Sequence, residues 1–316
     1  MHYLVTGGAG FIGSNIVDEL VRRGEKVRVL DNFATGRREN IEAFRDRIEL
    51  IEGDIRDYQL TRAAMQGVEV VLHQAAIPSV PRSVADPLTS NEVNVTGTLN
   101  VLCAAKDAGV RRVVNASSSS VYGDSPTLPK HEEMPTDPLS PYAVSKLAAE
   151  RYCSVFWNVY RLETVSLRYF NVFGPRQDPT SQYSAVIPKF IEAMKSDEQP
   201  VVYGDGEQSR DFTYVANVVE ANLLAAQSGC KPGVALNCAC HERITLKELV
   251  VQINSLLGKN VKPTFAAERP GDIKHSYADI TLAERILGYK PRIDFISGLT
   301  RTVDWYLREW NQPGSC

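Results

Sequence analysis

The chain has 316 residues, of which 43% are apolar and 23% charged, and its formal net charge is −3. A chain of this length can bury a large core in one or two domains, and its small net charge gives no electrostatic basis for nucleic-acid binding. No apolar run is long enough to span a membrane. Because the first residues read as a strand rather than a basic leader, we expect a cytoplasmic protein.

The six cysteines and five histidines show no metal-binding spacing. Cys238 and Cys240 alternate along a predicted strand, which favours small buried side chains over metal ligands. We therefore expect no bound metal.

The first distinctive motif is a run of glycines that follows a short apolar strand pattern. Gly7 permits a tight turn, Gly10 lets the backbone approach a pyrophosphate, and Gly13 lets the next helix pack closely on the strand. The N-terminus of that helix offers N–H groups and a positive dipole end to phosphates. We expect a dinucleotide to be bound by Gly7, Gly10, Phe11, Ile12 and Gly13.

The second strand pattern ends in an aspartate, Asp31, ~20 residues after the glycine run. A carboxylate at this position of a dinucleotide-binding unit bonds the ribose hydroxyls of adenosine and repels a 2′-phosphate. This predicts NAD rather than NADP. Arg37 and Arg38 follow closely in the sequence, so NADP stays open as the alternative.

Strand and helix patterns alternate through the first half of the chain. This alternation predicts an α/β fold, with a doubly wound parallel sheet of Rossmann type covered by helices on both faces. The predicted strands are 2–6, 26–30, 48–52, 69–73, 111–117 and 163–168, and the predicted helices lie near 11–23, 57–66, 86–108 and 141–160.

Prolines and shorter elements mark the chain after residue 170. We expect a helix near 184–195, a strand at 200–203, and helices near 215–227, 245–257 and 297–310. We therefore predict a dinucleotide-binding domain at 1–170. Residues 171–316 form mainly a smaller substrate lobe, and its elements are interleaved with those of the first domain.

Ligands of open α/β sheets bind at the carboxyl ends of the strands. Asp54 and Ile55 follow the third strand, where we expect them beside the adenine. Gln74, Ala75 and Ala76 follow the fourth strand, where small side chains let the backbone approach the cofactor. Taken alone, either segment is equally typical of an ordinary turn.

Tyr142 and Lys146 lie one turn apart in the helix predicted after Pro141, so they share one face. An ammonium near a phenol favours the phenolate and is expected to lower the tyrosine pKa. Such a tyrosine can exchange a proton with a substrate hydroxyl beside a nicotinamide. The serine run 117–120 follows a strand, and one of its hydroxyls can bond the same substrate group.

Together these motifs resemble those of the extended short-chain dehydrogenases/reductases, and within them the NAD-dependent UDP-sugar 4-epimerases. The resemblance covers about residues 1–310. Its motifs lie at 6–13, 31–32, 53–54, 94–98, 117–120, 142–146, 168–176, 210–212 and 269–272.

The resemblance implies a role for each matching residue. Tyr142 is the acid/base, Lys146 tunes it and holds the nicotinamide ribose, and Ser118 bonds the reacting hydroxyl. Asn32 and Tyr169 are expected at the cofactor. The implied substrate residues are Asn171, Arg210 and Arg269 at the diphosphate, Val186 and Tyr203 at the uracil, Asp272 at the ribose, and Ser119, Ser120 and Val80 beside the sugar.

The implied reaction inverts C4 of a UDP-hexose through a 4-keto intermediate, with NAD regenerated in each turnover. Related dehydratases have acids at the positions of Ser119 and Ser120, and decarboxylases have one at Ser120, so both are disfavoured. UDP-glucuronate epimerisation stays open. A non-catalytic dinucleotide sensor, the alternative of another class, would generally lack the Tyr142–Lys146 pair.

Substrate breadth depends on the residue four positions after Asp272, beside the C2 substituent in the resembling family. That residue is Ser276, which leaves room for an acetamido group. We therefore expect activity on UDP-glucose/galactose and on UDP-GlcNAc/GalNAc. We call the position of Ser276 the gate. If the register were shifted by one, the bulky Tyr277 would occupy the gate and exclude the acetamido group. Arg82, in the segment 78–83, is expected near the sugar or diphosphate.

The resemblance also predicts a homodimer, because family members often pair the helices expected near 86–108 and 141–160. We expect Tyr152, Val155, Phe156 and Val159 on the outer turns of the second helix. The alternative is that these apolar residues only face the sheet.

Overall fold

A computed structural model describes residues 1–179, 185–227, 229, 232–268 and 274–308. The strands are β1 (His2–Thr6), β2 (Lys26–Asp31), β3 (Glu49–Glu52), β4 (Val70–His73), β5 (Arg112–Ser118), β6 (Glu163–Tyr169), β7 (Val172–Phe173), β8 (Val201–Tyr203), β9 (Ser209–Arg210), β10 (Thr213–Tyr214), β11 (Val234–Cys238), β12 (Ile244–Thr245) and β13 (Thr264–Ala266).

The α-helices are α1 (Phe11–Arg22), α2 (Glu39–Glu42), α3 (Tyr58–Ala64), α4 (Val80–Ala85), α5 (Pro87–Asn91), α6 (Gly97–Asp107), α7 (Pro141–Tyr160), α8 (Val186–Lys195), α9 (Val215–Gln227), α10 (Leu246–Leu257), α11 (Thr281–Leu287) and α12 (Phe295–Arg308). Two 3₁₀ turns, Arg45–Arg47 and Ser119–Tyr122, and a π-helical segment, Glu92–Thr96, complete the described elements. No helix among the described residues is long and apolar enough to cross a membrane.

The central sheet has seven parallel strands in the order β11-β6-β5-β4-β1-β2-β3. The strand order reverses between β1 and β4, which is where ligands bind in doubly wound sheets. The predicted fold class is therefore confirmed.

Each face of the sheet buries its own hydrophobic cluster. The first cluster joins the sheet to α1, α9 and α11, and the second joins it to α3, α6 and α7. Residues after 170 contribute the edge strand β11 and the covering helix α9. The remaining C-terminal elements pack around buried aromatic rings, with Phe173 5.7 Å from both Tyr214 and Phe295 between ring centroids.

Two sequence predictions need correction. The single helix expected at 86–108 is divided into α5, the π-helical segment and α6. π-helical turns are rare and are found frequently at functional sites, and here the turn carries Asn94 inward, where its side chain bonds Ile77 and Ser145. In α7, Phe156 is buried at 4% exposure because its ring faces the core cluster under α6 instead of solvent.

Candidate active site

The glycine turn after β1 has the shape that a dinucleotide pyrophosphate requires. Gly7 has a φ of +67°, and a Cβ there would lie 2.7 Å from the Ala75 backbone. A Cβ on Gly13 would lie 2.1 Å from the Gly7 carbonyl oxygen. Gly10 caps α1 without a side-chain hydrogen bond, so the helix N-terminus is left to an anionic ligand. The residues present therefore fit the predicted cofactor.

Asp31 ties the end of β2 to this turn. Its Oδ2 accepts a hydrogen bond from Ala9 N at 2.9 Å, and its Oδ1 accepts one from Phe33 N at 2.8 Å. Burial raises the pKa of Asp31. The Arg38 guanidinium stacks 4.1 Å from the Phe33 ring centroid and pairs with Glu52 at 2.6 Å. Arg38 thus has partners of its own within the chain.

The two residues expected beside the adenine have different surroundings. The Arg56 side chain bonds Asp54 and lowers its pKa to about 2, and Asn32 Nδ2 donates to Asp54 at 2.8 Å. The Ile55 side chain is 4% exposed and packs in the core, where a Cβ on Gly97 would lie 2.5 Å from its Cδ1. Asn32 and Asp54 are brought together near the surface, whereas the Ile55 side chain lies inside.

A buried triad links the ends of β4 and β6. The Tyr169 hydroxyl donates to Gln74 Oε1 or to Asn222 Oδ1, both at 3.1 Å. Burial raises the pKa of Tyr169 strongly. Ala75 packs its backbone against Gly7, and Ala75 N lies 3.4 Å from Thr6 Oγ1. Asn222, on α9, was not found by sequence reasoning, because nothing local marks a helical asparagine as a partner of Tyr169.

The catalytic candidates meet at the carboxyl end of β5. Ser118 is the last residue of the strand, and its Oγ accepts hydrogen bonds from Ser120 N at 3.2 Å and Ser120 Oγ at 2.9 Å. Helix α7 starts at Pro141 and is capped by Ser140, which places Tyr142 in its first turn. The Lys146 ammonium donates to the Ala116 carbonyl at 2.8 Å and lies 5.9 Å from the Tyr142 ring centroid.

The electrostatics of this group differ from the sequence prediction. Burial raises the pKa of Tyr142, and interaction with the Ser118 side chain partly opposes that rise. The net pKa of Tyr142 is thus raised in the chain alone, while the Lys146 ammonium is held at the Ala116 carbonyl. Burial also lowers the pKa of Lys146 to about 8. The tyrosine therefore holds its proton near neutral pH when nothing else is bound.

Two further side chains position the start of α7. Ser83 Oγ accepts a hydrogen bond from Tyr142 N at 3.0 Å, and Asn94 Nδ2 donates to Ser145 Oγ at 3.0 Å. The motif 94–98 indicated Asn94, whereas the segment 78–83 was singled out for Arg82 and gave Ser83 no role. Val80 and Arg82 lie on α4 beside Ser83, and Val80 is 41% exposed.

A cavity of about 560 Å³ lies in the C-terminal part of the chain and collects the predicted nucleotide residues. Its walls include Asn171, Val186, Tyr203 and Arg210. Arg210 donates to the backbone carbonyls of Ser209 and Lys274, both at 3.0 Å. Arg269 and Asp272 lie outside the described residues.

The segment with the predicted gate pairs with β9. Ser276 N donates to Ser209 O at 3.0 Å, which places Ser276 beside the strand that carries Arg210. The Tyr277 ring lies against His241 in a tilted arrangement with 4.7 Å between centroids, and its hydroxyl lies 2.8 Å from His241 Nε2. Tyr277 is thus engaged by another loop.

Asp211, next to Arg210, lies in the motif 210–212, but sequence reasoning gave it no role. Its buried carboxylate accepts hydrogen bonds from Cys240 N at 2.9 Å and Ala278 N at 3.2 Å. Burial raises the pKa of Asp211 to about 6, and these backbone donors oppose the rise. Asp211 therefore joins the loop at 240 and the gate segment to β9. Among the described residues, no group of three or more His, Cys, Asp or Glu could hold a metal ion.

Comparisons with known proteins agree with this geometry. The model of the "NAD dependent epimerase/dehydratase family" matches residues 3–239. A putative UDP-glucose 4-epimerase of Methanocaldococcus jannaschii is 40% identical, over 96% of this chain and 97% of that protein. The UDP-N-acetylglucosamine 4-epimerase of Methanobrevibacter ruminantium M1, solved with UDP-N-acetylmuramic acid, is 42% identical with a TM-score of 0.93, covering 97% and 98% of the two chains. The UDP-glucose 4-epimerase of Thermus thermophilus, solved with NAD, is 39% identical with a TM-score of 0.89, covering 98% and 100%.

Proposed function

The chain belongs to the NAD dependent epimerase/dehydratase family, and from that premise we propose that it is a UDP-hexose 4-epimerase. The predictions of an enzyme of this family and of NAD as its cofactor are confirmed. The observation that carries the proposal is the meeting of Ser118, Tyr142 and Lys146 at the end of β5.

The chain's own residues supply the binding and the proton chemistry. The glycine turn and Asp31 would hold the dinucleotide, and Lys146 would hold the nicotinamide ribose. NAD, when bound, would supply the hydride acceptor and donor, and its positive charge would favour the Tyr142 phenolate. Tyr142 removes the proton from O4 of the sugar and later returns it, while Ser118 orients that hydroxyl.

Inversion at C4 requires the keto sugar to stay bound while its ring turns. Asn171, Tyr203 and Arg210 line the cavity that would hold the nucleotide, away from the reacting carbon. An arginine fork suits phosphate oxygens. Binding energy spent on the nucleotide thus retains the intermediate and leaves the sugar itself loosely held.

Two other activities of the same family are less well supported. Elimination of water or loss of a carboxyl group would use an acid at position 119 or 120. The chain has Ser119 and Ser120 there, and Ser120 donates to the Ser118 hydroxyl. A sensor without catalysis would have no use for the buried Lys146 beside Tyr142.

The test is to incubate the purified protein with a panel of UDP-hexoses, including UDP-glucuronate, and to separate the products. Interconversion of C4 epimers supports the proposal. Loss of water, loss of carbon dioxide or conversion of UDP-glucuronate alone would replace it with the matching activity. The nucleotide released on denaturation is identified at the same time, and NADP as the main species would contradict the role of Asp31.

We further propose that the enzyme accepts N-acetylated sugars. Ser276 is small and lies beside the strand of Arg210, whereas Tyr277 is held by His241 and does not compete for the gate position. In extended backbone, adjacent side chains point to opposite sides, so a bulky neighbour at 277 leaves the space at 276 open.

We also propose a homodimer. Tyr152, Val155 and Val159 are 36%, 47% and 63% exposed on α7, and Leu88 is 77% exposed on α5. A row of exposed apolar side chains on neighbouring helices is typical of an interface. Light scattering at micromolar concentration tests this, and a monomer mass would contradict it.

A further inference from the structure

Helix α7 continues the face of Tyr142 and Lys146 with a third polar residue. Glu150 lies one further turn along, at the spacing that places side chains on one face of a helix. It is 6% exposed. Its carboxylate accepts two hydrogen bonds from Arg168, from Nε at 2.9 Å and from the second terminal nitrogen at 2.8 Å. Glu150 and Arg168 thus form a buried bidentate ion pair directly behind the catalytic candidates.

This ion pair contacts both elements that carry the site. The Glu150 carboxylate also accepts a hydrogen bond from the Ser117 hydroxyl, next to Ser118 at the end of β5. The remaining terminal nitrogen of Arg168 donates to the Tyr122 hydroxyl at 2.9 Å, in the turn that follows Ser118. The pair therefore connects the helix of Tyr142 to the strand and turn of the serines.

The Glu150–Arg168 pair also influences the ionisation of Lys146 through its charges. Lys146 faces His73 from β4, and Tyr142, Glu150 and Cys153 from its own helix. Burial raises the pKa of the Cys153 thiol to about 12, so the thiol is neutral. Burial lowers the pKa of Lys146, and Cys153 and the Glu150 carboxylate raise it; of these two groups only the carboxylate is charged at neutral pH. We expect Arg168, bound to that carboxylate, to offset part of its field at Lys146.

Stability alone does not account for such a pair. A buried ion pair is often no more stable than apolar side chains of the same volume, while removal of one partner leaves an uncompensated charge. We propose that Glu150 and Arg168 are a positioning pair, which holds the Tyr142–Lys146 face against Ser118 and sets the charge balance beside the Lys146 ammonium. The catalytic consequence rests on the proposed function, whereas the charge balance does not.

The experiment follows the ionisation of Lys146 itself. Protein labelled with ¹³C-lysine is titrated by NMR, and the ε-carbon resonance of Lys146 is identified by its loss in Lys146→Arg. Glu150→Gln leaves Arg168 unpaired and should lower the Lys146 midpoint by about one pH unit or more. Arg168→Gln exposes Lys146 to the full field of Glu150 and should raise the midpoint. The double variant should return close to the wild-type midpoint.

The opposite signs and their cancellation distinguish charge balance from a purely structural role. Structural loosening would move both single variants in the same direction and the double variant further. That result, or unchanged midpoints in the single variants, would overturn the inference. If only Glu150→Gln folds, a lowered midpoint still decides for charge balance, because loosening would admit water and raise the midpoint. If only Arg168→Gln folds, a lowered or unchanged midpoint overturns the inference.

A matched control lies on the same two strands. Glu163→Gln breaks the pair of Glu163 with buried Arg112, 2.8 Å apart at the opposite end of β5 and β6. It should leave the Lys146 midpoint unchanged. Epimerisation is measured in parallel, and the alkaline limb of kcat should move to lower pH in Glu150→Gln. A wild type that converts no UDP-hexose would refute the proposed function, while the NMR midpoints would still decide the inference.

Discussion

The catalytic edge, defined as Ser118, Tyr142 and Lys146, is carried by long regular elements, whereas the strands of the predicted substrate lobe are short. β5 has seven residues and pairs with strands on both sides, and α7 has 20 residues. In the lobe, β7, β9, β10 and β12 have two residues each. Arg210 lies on one of these short strands, Asn171 directly precedes another, and Ser276 is hydrogen-bonded to β9.

The two regions are therefore held in different ways. The catalytic edge is fixed by backbone pairing and by the buried pair Glu150–Arg168. The lobe packs around its own aromatic cluster, and the Asp211 carboxylate adds hydrogen bonds that join the loop at 240 and the gate segment to β9. Rigid elements position reacting groups to within fractions of an ångström, while loops carry the variation that selects a substrate. Substitutions at the catalytic edge should alter kcat, and substitutions in the lobe should alter UDP affinity and substrate specificity.

The largest effect should come from the edge. Tyr142→Phe removes the proton carrier and should reduce kcat by roughly a hundredfold or more, because acid–base groups contribute on this scale. Binding of UDP and NAD content should be unchanged, since the phenol is not part of the nucleotide cavity. Steady-state kinetics and isothermal titration measure the two.

Tyr152→Phe provides the control for that substitution, because the same change is made on an exposed face of α7. It should leave kcat unaltered. A Tyr142→Phe enzyme with near-normal turnover would remove Tyr142 from the mechanism.

The catalytic edge and the glycine turn were easier to predict from the sequence than the substrate lobe. Their motifs are spacings of a few residues, which are visible in a sequence: Gly7 with Gly13, and Tyr142 with Lys146. The raised pKa of Tyr142 was not predictable, because it depends on burial by segments distant in the sequence and on the contact with Ser118.

Contacts between distant segments explain the other misses. Asn222 meets Tyr169 from a position 53 residues away, and Asp211 meets Ala278 across 67 residues. Asn222 belongs to no local pattern, and Asp211 lies in the motif 210–212, which does not show the contact with Ala278. Phe156 was also placed wrongly, because the sequence does not show whether a residue at the border of a helix's apolar face points to the core or to solvent.

The second largest effect should come from the gate residue, Ser276, and should be a change in substrate specificity. Ser276→Tyr should abolish activity on UDP-GlcNAc and UDP-GalNAc while sparing UDP-glucose and UDP-galactose, because a steric clash discriminates more strongly than a lost contact. Initial rates with the four sugars measure this. A wild type that ignores UDP-GlcNAc, or equal losses on both pairs, would show that the gate is not at 276.

The third largest effect should come from Asp211 in the lobe. Asp211→Asn replaces an acceptor that serves several backbone N–H groups with an amide, and should weaken UDP binding by roughly tenfold or more, as expected for lost hydrogen bonds to a charged group. NAD content should stay normal, because the glycine turn is elsewhere. Titration of the holoenzyme with UDP measures the affinity.

Asp205→Asn is the matched control for Asp211, because Asp205 is an exposed carboxylate in the preceding turn. Its UDP affinity should equal that of the wild type. If Asp211→Asn also binds UDP normally, the lobe does not depend on this single side chain, and the contrast with the catalytic edge weakens.

The smallest effect should come from Ser118→Ala, although Ser118 belongs to the catalytic edge. The hydroxyl of Ser120 lies 2.9 Å from that of Ser118, so it can take over part of the contact with O4. We expect a loss in kcat of less than about tenfold, below the usual contribution of an acid–base group. Combining Ser118→Ala with Ser120→Ala should lower kcat further than the product of the single losses, because residues that share one function are not additive. Purely multiplicative losses would mean that Ser120 does not substitute, and that the serine turn holds the sugar through Ser118 alone.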